Sequence, residues 1–458
     1  MRIRPAAGIF IALTVGLMIA FAPAGDSLSP QGRTLAGLFA ALLVLWVTEA
    51  LPLSITALLA VFLQPVFGIE PSVGAAVQSF LSPVFFFVLT MFFVAQAMTV
   101  TAIDKRFASW LLSKAGGDSR HVVLALMVGT STISTIMSDV PACAIFMAVA
   151  LGILDKAGAT PGSSNLGRAL MIGIPFASLI GGVGTPAGSA INLLGLDLLQ
   201  RLAGVRVTFV AWMAIGLPMV VILTPLAWWF VVRVHPPEMA SIDPDRHEAG
   251  PMSAGEKKLV VILCAMIALW IASSWVRQLD VTVIAVLGGT LMFLPGVDLL
   301  DWKRAEKGIG WEGLMLIGGV TSLAAACVKT GLAKWLVAAC LGGLQGWDAT
   351  WTIAAVSAFT VVAHLVVPNN PALVGVLASP IVLLASSSGH AAALYALPMI
   401  FSASCGFLLP IETVPLVTYS KGYYSMADMF RAGLPLSICW VALITLLMKW
   451  LAPHIGLL

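Results

Sequence analysis

Gly181-Gly182-Val183-Gly184-Thr185-Pro186-Ala187-Gly188-Ser189 interrupts the charge-poor stretch 169–196, and Leu409-Pro410-Ile411-Glu412-Thr413-Val414-Pro415 interrupts the stretch 391–420. Irregular backbone at membrane depth survives only where protein or a water-filled cavity satisfies its polar groups. Both segments therefore read as broken helices lining a site. Ahead of each lies a stretch too long for one crossing, 122–154 and 350–388, with a polar, proline-containing knot near its middle: Ser138-Asp139-Val140-Pro141 and Pro368-Asn369-Asn370-Pro371. A straight helix needs about 20 residues to cross the hydrocarbon. Each of these stretches is long enough for two half-crossings and reads as a re-entrant hairpin.

The composition around these segments excludes a soluble protein. Of 458 residues, 60% are hydrophobic and 10% charged, against about 45–50% apolar and about 25% charged in soluble chains. The net charge of +3 is small and scattered, so nucleic-acid binding is not expected. Cys143, Cys264, Cys327, Cys340, Cys405 and Cys439 lie apart in apolar stretches, without metal or redox spacing, and read as packing residues. Arg2 and Arg4 before the apolar run from Ile9 to Ala22 fit either a signal peptide or a first membrane helix with a cytoplasmic amino terminus. The many spans that follow favour the retained helix.

The polar insertion from His235 to Lys258 divides the chain into 1–234 and 259–458. Gly68-Ile69 and Gly296-Val297, Asp139 and Asn369, and Ser189 and Thr413 recur at nearly one separation. Each half runs in the same order: spanning helices, amphipathic connector, hairpin (122–154 or 350–388), broken helix (169–196 or 391–420), final helix. Weak internal symmetry with paired interrupted segments points to a secondary transporter with its site at the repeat interface.

Several of these residues resemble one known family, the divalent-anion/sodium symporters. Trp46-Val47-Thr48-Glu49-Ala50-Leu51-Pro52-Leu53 is similar to its entry motif, and Ser138-Asp139-Val140 and Asn369-Asn370 stand where it carries Ser-Asn-Thr tips. Gly181 to Thr185 with Ser189-Ala190-Ile191-Asn192, and Cys405 to Pro410 with Thr413-Val414-Pro415, resemble its two breaks. The resemblance covers about residues 9 to 450. It implies an all-α polytopic membrane protein, expected in a bacterial inner membrane, with about 11 transmembrane helices and two re-entrant hairpins in two inverted repeats. It also implies a homodimer whose transport part moves as a rigid body against a scaffold, carrying a dicarboxylate-like or sulfate-like anion with sodium.

By that resemblance the substrate site comprises Ser138, Asp139, Val140, Thr185, Ser189, Asn369, Asn370, Thr413 and Pro415. The cation sites comprise Ser134, Ser138, Asp139, Gly184, His364, Asn369 and Glu412, with sodium at Asp139 and Asn369. Helix amino ends suit the anion and unwound carbonyls the cations. The sequence departs from the family at these positions: Asp139 replaces a neutral Asn, Val140 a hydroxyl, Pro368 a Ser, Asn370 a Thr and Glu412 a small residue. His364 stands where a hydroxyl ligand of the second sodium belongs. Asp139, His364 and Glu412 are the ionisable residues deepest in the apolar stretches, and such residues are functional candidates by default. A bland reading accompanies each: Asp139 accepting tip amides, Glu412 and His364 forming a structural ion pair, Asn369 and Asn370 serving the turn, and the glycines Gly181, Gly182 and Gly184 serving close packing.

Two coupling schemes follow. Asp139 is a stronger ligand than an amide for a hard cation such as sodium, and Glu412 with His364 suits a proton in place of the second sodium. A mixed or proton-linked scheme is the favoured expectation. The substrate is a small organic acid or oxyanion, with an amine-bearing acid as the variant that Asp139 or Glu412 would favour. No cofactor is expected beyond sodium ions or protons. The sequence lacks a nucleophile motif, metal spacing or phosphate loop, so it is not expected to be an enzyme. A two-fold repeat of broken helices suits alternating access better than a channel pore. The remaining rival is a cation/proton antiporter or arsenite-type carrier of the same broad architecture.

Overall fold

The computed structural model describes residues 5–21, 28–48, 50–78, 80–241, 250–276, 278–336, 342–344, 346–367 and 369–456. Arg2, Arg4, Glu49, Cys340, Pro368 and the linker residues Asp243, Pro244 and Asp245 lie outside them. The described residues are helical, apart from turns and a single antiparallel bridge between Asp118 and Ser241.

The chain opens with α1 (Pro5–Phe21), packed on α2 (Pro30–Thr48). Then come α3 (Leu53–Val66), α4 (Val73–Gln78), α5 (Pro83–Thr101), α6 (Ile103–Lys114), α7 (Ser119–Ile136), α8 (Asp139–Lys156), α9 (Asn165–Gly182), α10 (Ala190–Ala203) and α11 (Phe209–Val234). Beyond the linker are α12 (Ala254–Ala272), α13 (Val281–Leu291), α14 (Trp302–Lys307), α15 (Trp311–Lys329), α16 (Leu332–Leu336), α17 (Ala349–Ala363), α18 (Asn370–Ser387), α19 (Ala392–Ser402), α20 (Thr413–Tyr419) and α21 (Met426–Leu451). Among the described residues 7 helices are long and apolar enough to cross a membrane, and α1, α3, α13 and α19 are shorter apolar helices. This is an all-α polytopic membrane protein.

The elements recur in detail. Helices α4 and α14 have 6 residues each, α5 and α15 have 19, α8 and α18 have 18, and α11 and α21 have 26. An aspartate caps both α7 and α17: Asp118 accepts from the Arg120 and His121 amides, and Asp348 from the Thr350 amide. Shortly after α3 and α13 the chain turns through left-handed glycines, Gly68 at φ +67° and Gly296 at φ +90°, conformations that a Cβ would penalise.

Packing between the halves is exchanged in pairs. Helix α3 packs on α15 and α13 on α5; α2 packs on α15 and α12 on α5; α8 packs on α20 and α18 on α10; α9 packs on α20 and α19 on α10. Swapping the halves leaves these pairings unchanged, as a two-fold relation requires. Almost every residue of α9 and every residue of α19 is buried, as expected of helices that are apolar all round. Each runs through the middle of its half, α9 against α7, α8 and α11, and α19 against α17, α18 and α21.

The hairpin arms are longer than half-crossings. Helices α7 and α8 have 18 residues each, about 27 Å of rise. The Asp118 cap starts α7 ahead of the apolar stretch, and α8 runs on to Lys156, so backbone hydrogen bonding rather than hydropathy sets their ends.

One ion pair ties the connector to the second half. Arg106 of α6 donates from Nε and Nη2 to the Glu256 carboxylate at 2.5 and 3.1 Å, and Glu256 also closes a capping box with Ser253 at the start of α12. The guanidinium and the Ser253 amide hold Glu256 down to about 2, from 4.5. A depressed carboxyl stabilises the fold above its unfolded value and loses that contribution as pH falls towards the folded one. The melting temperature of the detergent-solubilised protein should therefore fall between about pH 4.5 and 2 by more in wild type than in Glu256→Gln; equal acid sensitivity would count against this linkage.

Candidate functional site

The candidate residues gather where the two hairpins meet the two breaks. In the first half the chain leaves α7 at Met137 and re-enters helix at Asp139, with Ser138 as the N-cap residue of α8. Asp139 is buried, and both its carboxylate oxygens are engaged: Oδ1 accepts from the Val140 amide at 3.0 Å and the Ser138 hydroxyl at 3.3 Å, and Oδ2 from the Ser189 hydroxyl at 3.1 Å. Ser189 is the N-cap residue of α10, on the far side of the break, so the carboxylate joins the hairpin tip to the broken helix.

The break itself is held by side chains reaching backbone carbonyls. The Asn192 amide bridges the carbonyls of Gly182 and Thr185 at 2.7 and 2.9 Å, and the Trp212 indole donates to the Val183 carbonyl at 2.8 Å. Thr185 donates to the Thr135 carbonyl at 2.7 Å, Ser134 to Ser178 at 2.7 Å and Ser178 to Asp139 at 2.6 Å. Gly184 is buried against Thr135. Buried backbone groups freed by a helix break must find such partners.

In the second half Asn369 is the N-cap residue of α18 and accepts from the Ala372 amide at 3.1 Å. Asn370, the first residue of α18, donates from Nδ2 to Glu412 Oε1 at 2.6 Å, and Glu412 is the N-cap residue of α20. His364 follows α17 and points its Nε2 at Glu412 Oε2 from 3.9 Å. Asn370, His364 and Glu412 are all buried.

The halves can be compared at the site by their helix starts. By helix start Asp139 holds the N1 position as Asn370 does, and Ser189 the N-cap position as Glu412 does, whereas counting from the starts of α7 and α17 sets Asp139 opposite Asn369. The same hydrogen bond then recurs in each half between hairpin and break, with the carboxylate moved from the hairpin in one (Asp139 to Ser189) to the break in the other (Glu412 to Asn370). Counted from the starts of α7 and α17, His364 falls opposite Ser134.

Other expected residues sit at the margin. Thr413 is exposed, and the Pro415 carbonyl is occupied by the Tyr424 hydroxyl at 3.0 Å. Val140 contributes its amide to Asp139, while its side chain is half-buried. Cys143, one turn beyond Asp139, lies 3.7 Å from the Val414 carbonyl, so α8 carries Asp139 to the start of α20. Asp139 and Glu412 are close enough for their charges to oppose each other. Residues absent from the expected set are Ser178, Thr135, Asn192, Trp212, Cys143 and Gly406. Of these Asn192 had a sequence signal, its place after the glycine-rich break; Ser178, Thr135, Trp212 and Cys143 act across long separations in the chain, and Gly406 leaves space for Glu412 six residues on.

A cavity of about 30 Å³ beside Ser138 is walled by Phe87, Val88, Met91 and Phe92 of α5 and by Ala187, Ala190 and Leu193 of the break and α10. The cavity at His364 and Glu412 is about 10 Å³. The hairpin and break are thus packed closely on α5.

The sodium:sulfate symporter transmembrane region family matches residues 5–458. The chain belongs to that family. This sodium:sulfate symporter family member is 25% identical to a sodium-dependent dicarboxylate transporter, SdcS, of Staphylococcus saprophyticus, over 97% of this chain and 90% of that one. It is 27% identical to an uncharacterized transporter of Haemophilus influenzae, over 92% of this chain and 93% of the relative. In structure it is similar to the Alcanivorax borkumensis YdaH transporter, whose topology is described as unusual, with a TM-score of 0.57 and 13% identity over 81% of this chain and 86% of that one. The symporter family member is an integral membrane transport protein, not an enzyme.

Proposed function

We propose that the protein is a cation-coupled carrier of a small organic acid or oxyanion, dicarboxylate-like or sulfate-like, bound between the tips of α7–α8 and α17–α18 and the two breaks. The observation that carries this reading is the recurring bond from hairpin to break, Asp139 to Ser189 and Asn370 to Glu412, each at the amino ends of helices α8, α10, α18 and α20. The amino termini of α8, α10 and α18 converging on one region favour an anion, and the Asp139 carboxylate with the Ser138 and Ser189 hydroxyls suits a hard cation such as sodium. The sodium-dependent dicarboxylate relative supports the same coupling. In this reading 1–234 and 259–458 are inverted repeats, 235–258 is their linker, and the α7–α11 and α17–α21 elements move together to expose the site to alternate sides.

The test is charge movement or labelled uptake in proteoliposomes with sulfate, succinate, citrate and glutamate under a sodium gradient. The expected result is sodium-stimulated uptake of at least one of the first three. Preference for glutamate would make the substrate an amine-bearing acid. Cation exchange with no solute present would replace the carrier reading with the antiporter one.

A further inference from the structure

The seam between α17 and α21 is packed differently from its counterpart in the first half. Counted from the starts of α11 and α21, Gly216 and Pro218 fall opposite Gly433 and Pro435, and Trp228 falls opposite Thr445. Trp228 spans its seam, its indole donating to the Arg120 carbonyl of α7 at 2.9 Å. The Thr445 hydroxyl donates instead to the Val441 carbonyl of its own helix at 2.7 Å. On the facing helices, Leu124 and Val128 of α7 fall opposite Ala354 and Ala358 of α17. Larger side chains thus give way to smaller ones on both walls, and a cavity of about 620 Å³ lies between α17 and α21, lined by Ala354, Ala358 and Thr445.

Both helices are long and apolar enough to cross a membrane, and the rim of the groove, at Val362, Ile438 and Leu446, is exposed. The groove runs from Thr350 to Val362 on α17 and from Leu434 to Leu446 on α21, about 18 Å along each helix. Half of a membrane's hydrocarbon core is about 15 Å deep, so the groove has the depth of one leaflet. Water is a poor occupant, because an apolar cavity stays dry without polar partners. The two hydroxyls that α21 contributes are already used on that helix, Thr445 as above and Ser437 on the Gly433 carbonyl at 2.9 Å.

The outer end of the groove carries the groups that a lipid headgroup meets. Trp351 and Trp450 are 69% and 66% exposed there, as tryptophans are at a membrane–water interface. Lys449 stands one turn beyond Thr445 on the same face of α21. Asp348, the N-cap residue of α17, is close enough for its charge and that of Lys449 to act on each other. A cation beside an anion complements a zwitterion, with phosphate on the lysine and ammonium on the carboxylate. At its inner end the groove reaches Val361 and Leu408, which also wall the small cavity at His364 and Glu412.

We propose that the α17–α21 groove is a lipid site that takes one acyl chain of a phospholipid of the phosphatidylethanolamine type, its phosphate facing Lys449 and its ammonium facing Asp348. A chain seated there braces the second break from the membrane side. The site goes beyond the carrier reading and does not depend on it.

The test is native mass spectrometry of the delipidated full-length protein in detergent, titrated with phosphatidylethanolamine and, separately, with phosphatidylglycerol. Wild type should bind one phosphatidylethanolamine per chain several-fold more tightly than phosphatidylglycerol. Thr445→Trp, which restores the side chain that fills the first half's seam, should weaken that binding by about tenfold or more. Lys449→Ala should weaken binding of both lipids, and Asp348→Asn, which keeps a good helix cap, should erase the preference between them. Absence of a saturable first binding step in wild type, equal affinity for the two lipids, or unchanged binding in folded Thr445→Trp overturns the site. If Thr445→Trp does not fold, the two variants at exposed positions decide: unchanged affinity in Lys449→Ala or an unchanged preference in Asp348→Asn overturns it. A disulfide-linked dimer formed by Ile438→Cys and not by wild type would put a second copy of the chain in the groove and overturn the lipid site as well.

Discussion

Asp139→Asn should raise the sodium concentration for half-maximal uptake by about tenfold or more, corresponding to ~1.4 kcal/mol or more of lost cation binding. The geometry explains why the loss is electrostatic rather than structural. An asparagine at 139 still offers an oxygen to the Val140 amide, and its amide group can donate to the Ser189 hydroxyl, which then turns to act as acceptor. What disappears is the negative charge, at the point where the tip of α8 meets the break before α10. With that charge gone, affinity for plain dicarboxylates should rise at saturating sodium, because one negative charge fewer faces the bound anion. Sodium titrations of initial uptake rates, with melting temperature as the folding control, check both effects. An unchanged sodium requirement in a folded variant would make Asp139 a structural acceptor of tip hydrogen bonds.

The elements that position Asp139 were legible in the sequence because they rest on local chemistry. Long charge-poor stretches, glycine and proline clusters, and ionisable residues within them all follow from what a membrane tolerates. Asp139, His364 and Glu412 stand out on those grounds alone, and the structure gathers them with Asn370 and Ser189. The pairing of Asp139 with Asn369 agrees with the count from the starts of α7 and α17, while the starts of α8 and α18 set Asp139 beside Asn370. Whether Asn369 or Asn370 starts α18, and whether Glu412 or Thr413 starts α20, depends on where the backbone leaves helical geometry, and every one of those residues is compatible with either position. That single step matters, because the helix starts set Glu412 in the place of Ser189 and move the carboxylate from the hairpin in one half to the break in the other. The supports of the break were not legible for another reason: Trp212 reaches Val183, and Ser178 reaches Asp139, through tertiary packing that no local pattern encodes.

Gly181→Ala should prevent recovery of a well-folded protein, whereas Gly152→Ala, the same chemical change in a helix, should leave it folded and slightly more stable. Both glycines lie in helices, α9 and α8, where alanine is intrinsically better by about 0.5–1 kcal/mol. Their neighbours reverse the sign. Around Gly152 nothing lies within 4 Å of an added Cβ, while at Gly181 the Cβ would collide with the backbone of Ser131 on α7. Backbone cannot rotate aside as a side chain does, so the helices must separate, and such overpacking costs about 1–3 kcal/mol or more. The separation would also reach the site. Thr135 of α7 donates to the Gly181 carbonyl at 3.1 Å, and the segment beginning at Gly181 carries Ser189 to the Asp139 carboxylate. Any Gly181→Ala protein that does fold should therefore bind sodium more weakly, although residue 181 is not placed among its ligands. Size-exclusion profiles and thermal melts of the two variants, followed by sodium titration of any folded fraction, test the argument. A Gly181→Ala variant matching wild type in melting temperature and sodium dependence would mean that the α7–α9 crossing does not hold the break in register with Asp139.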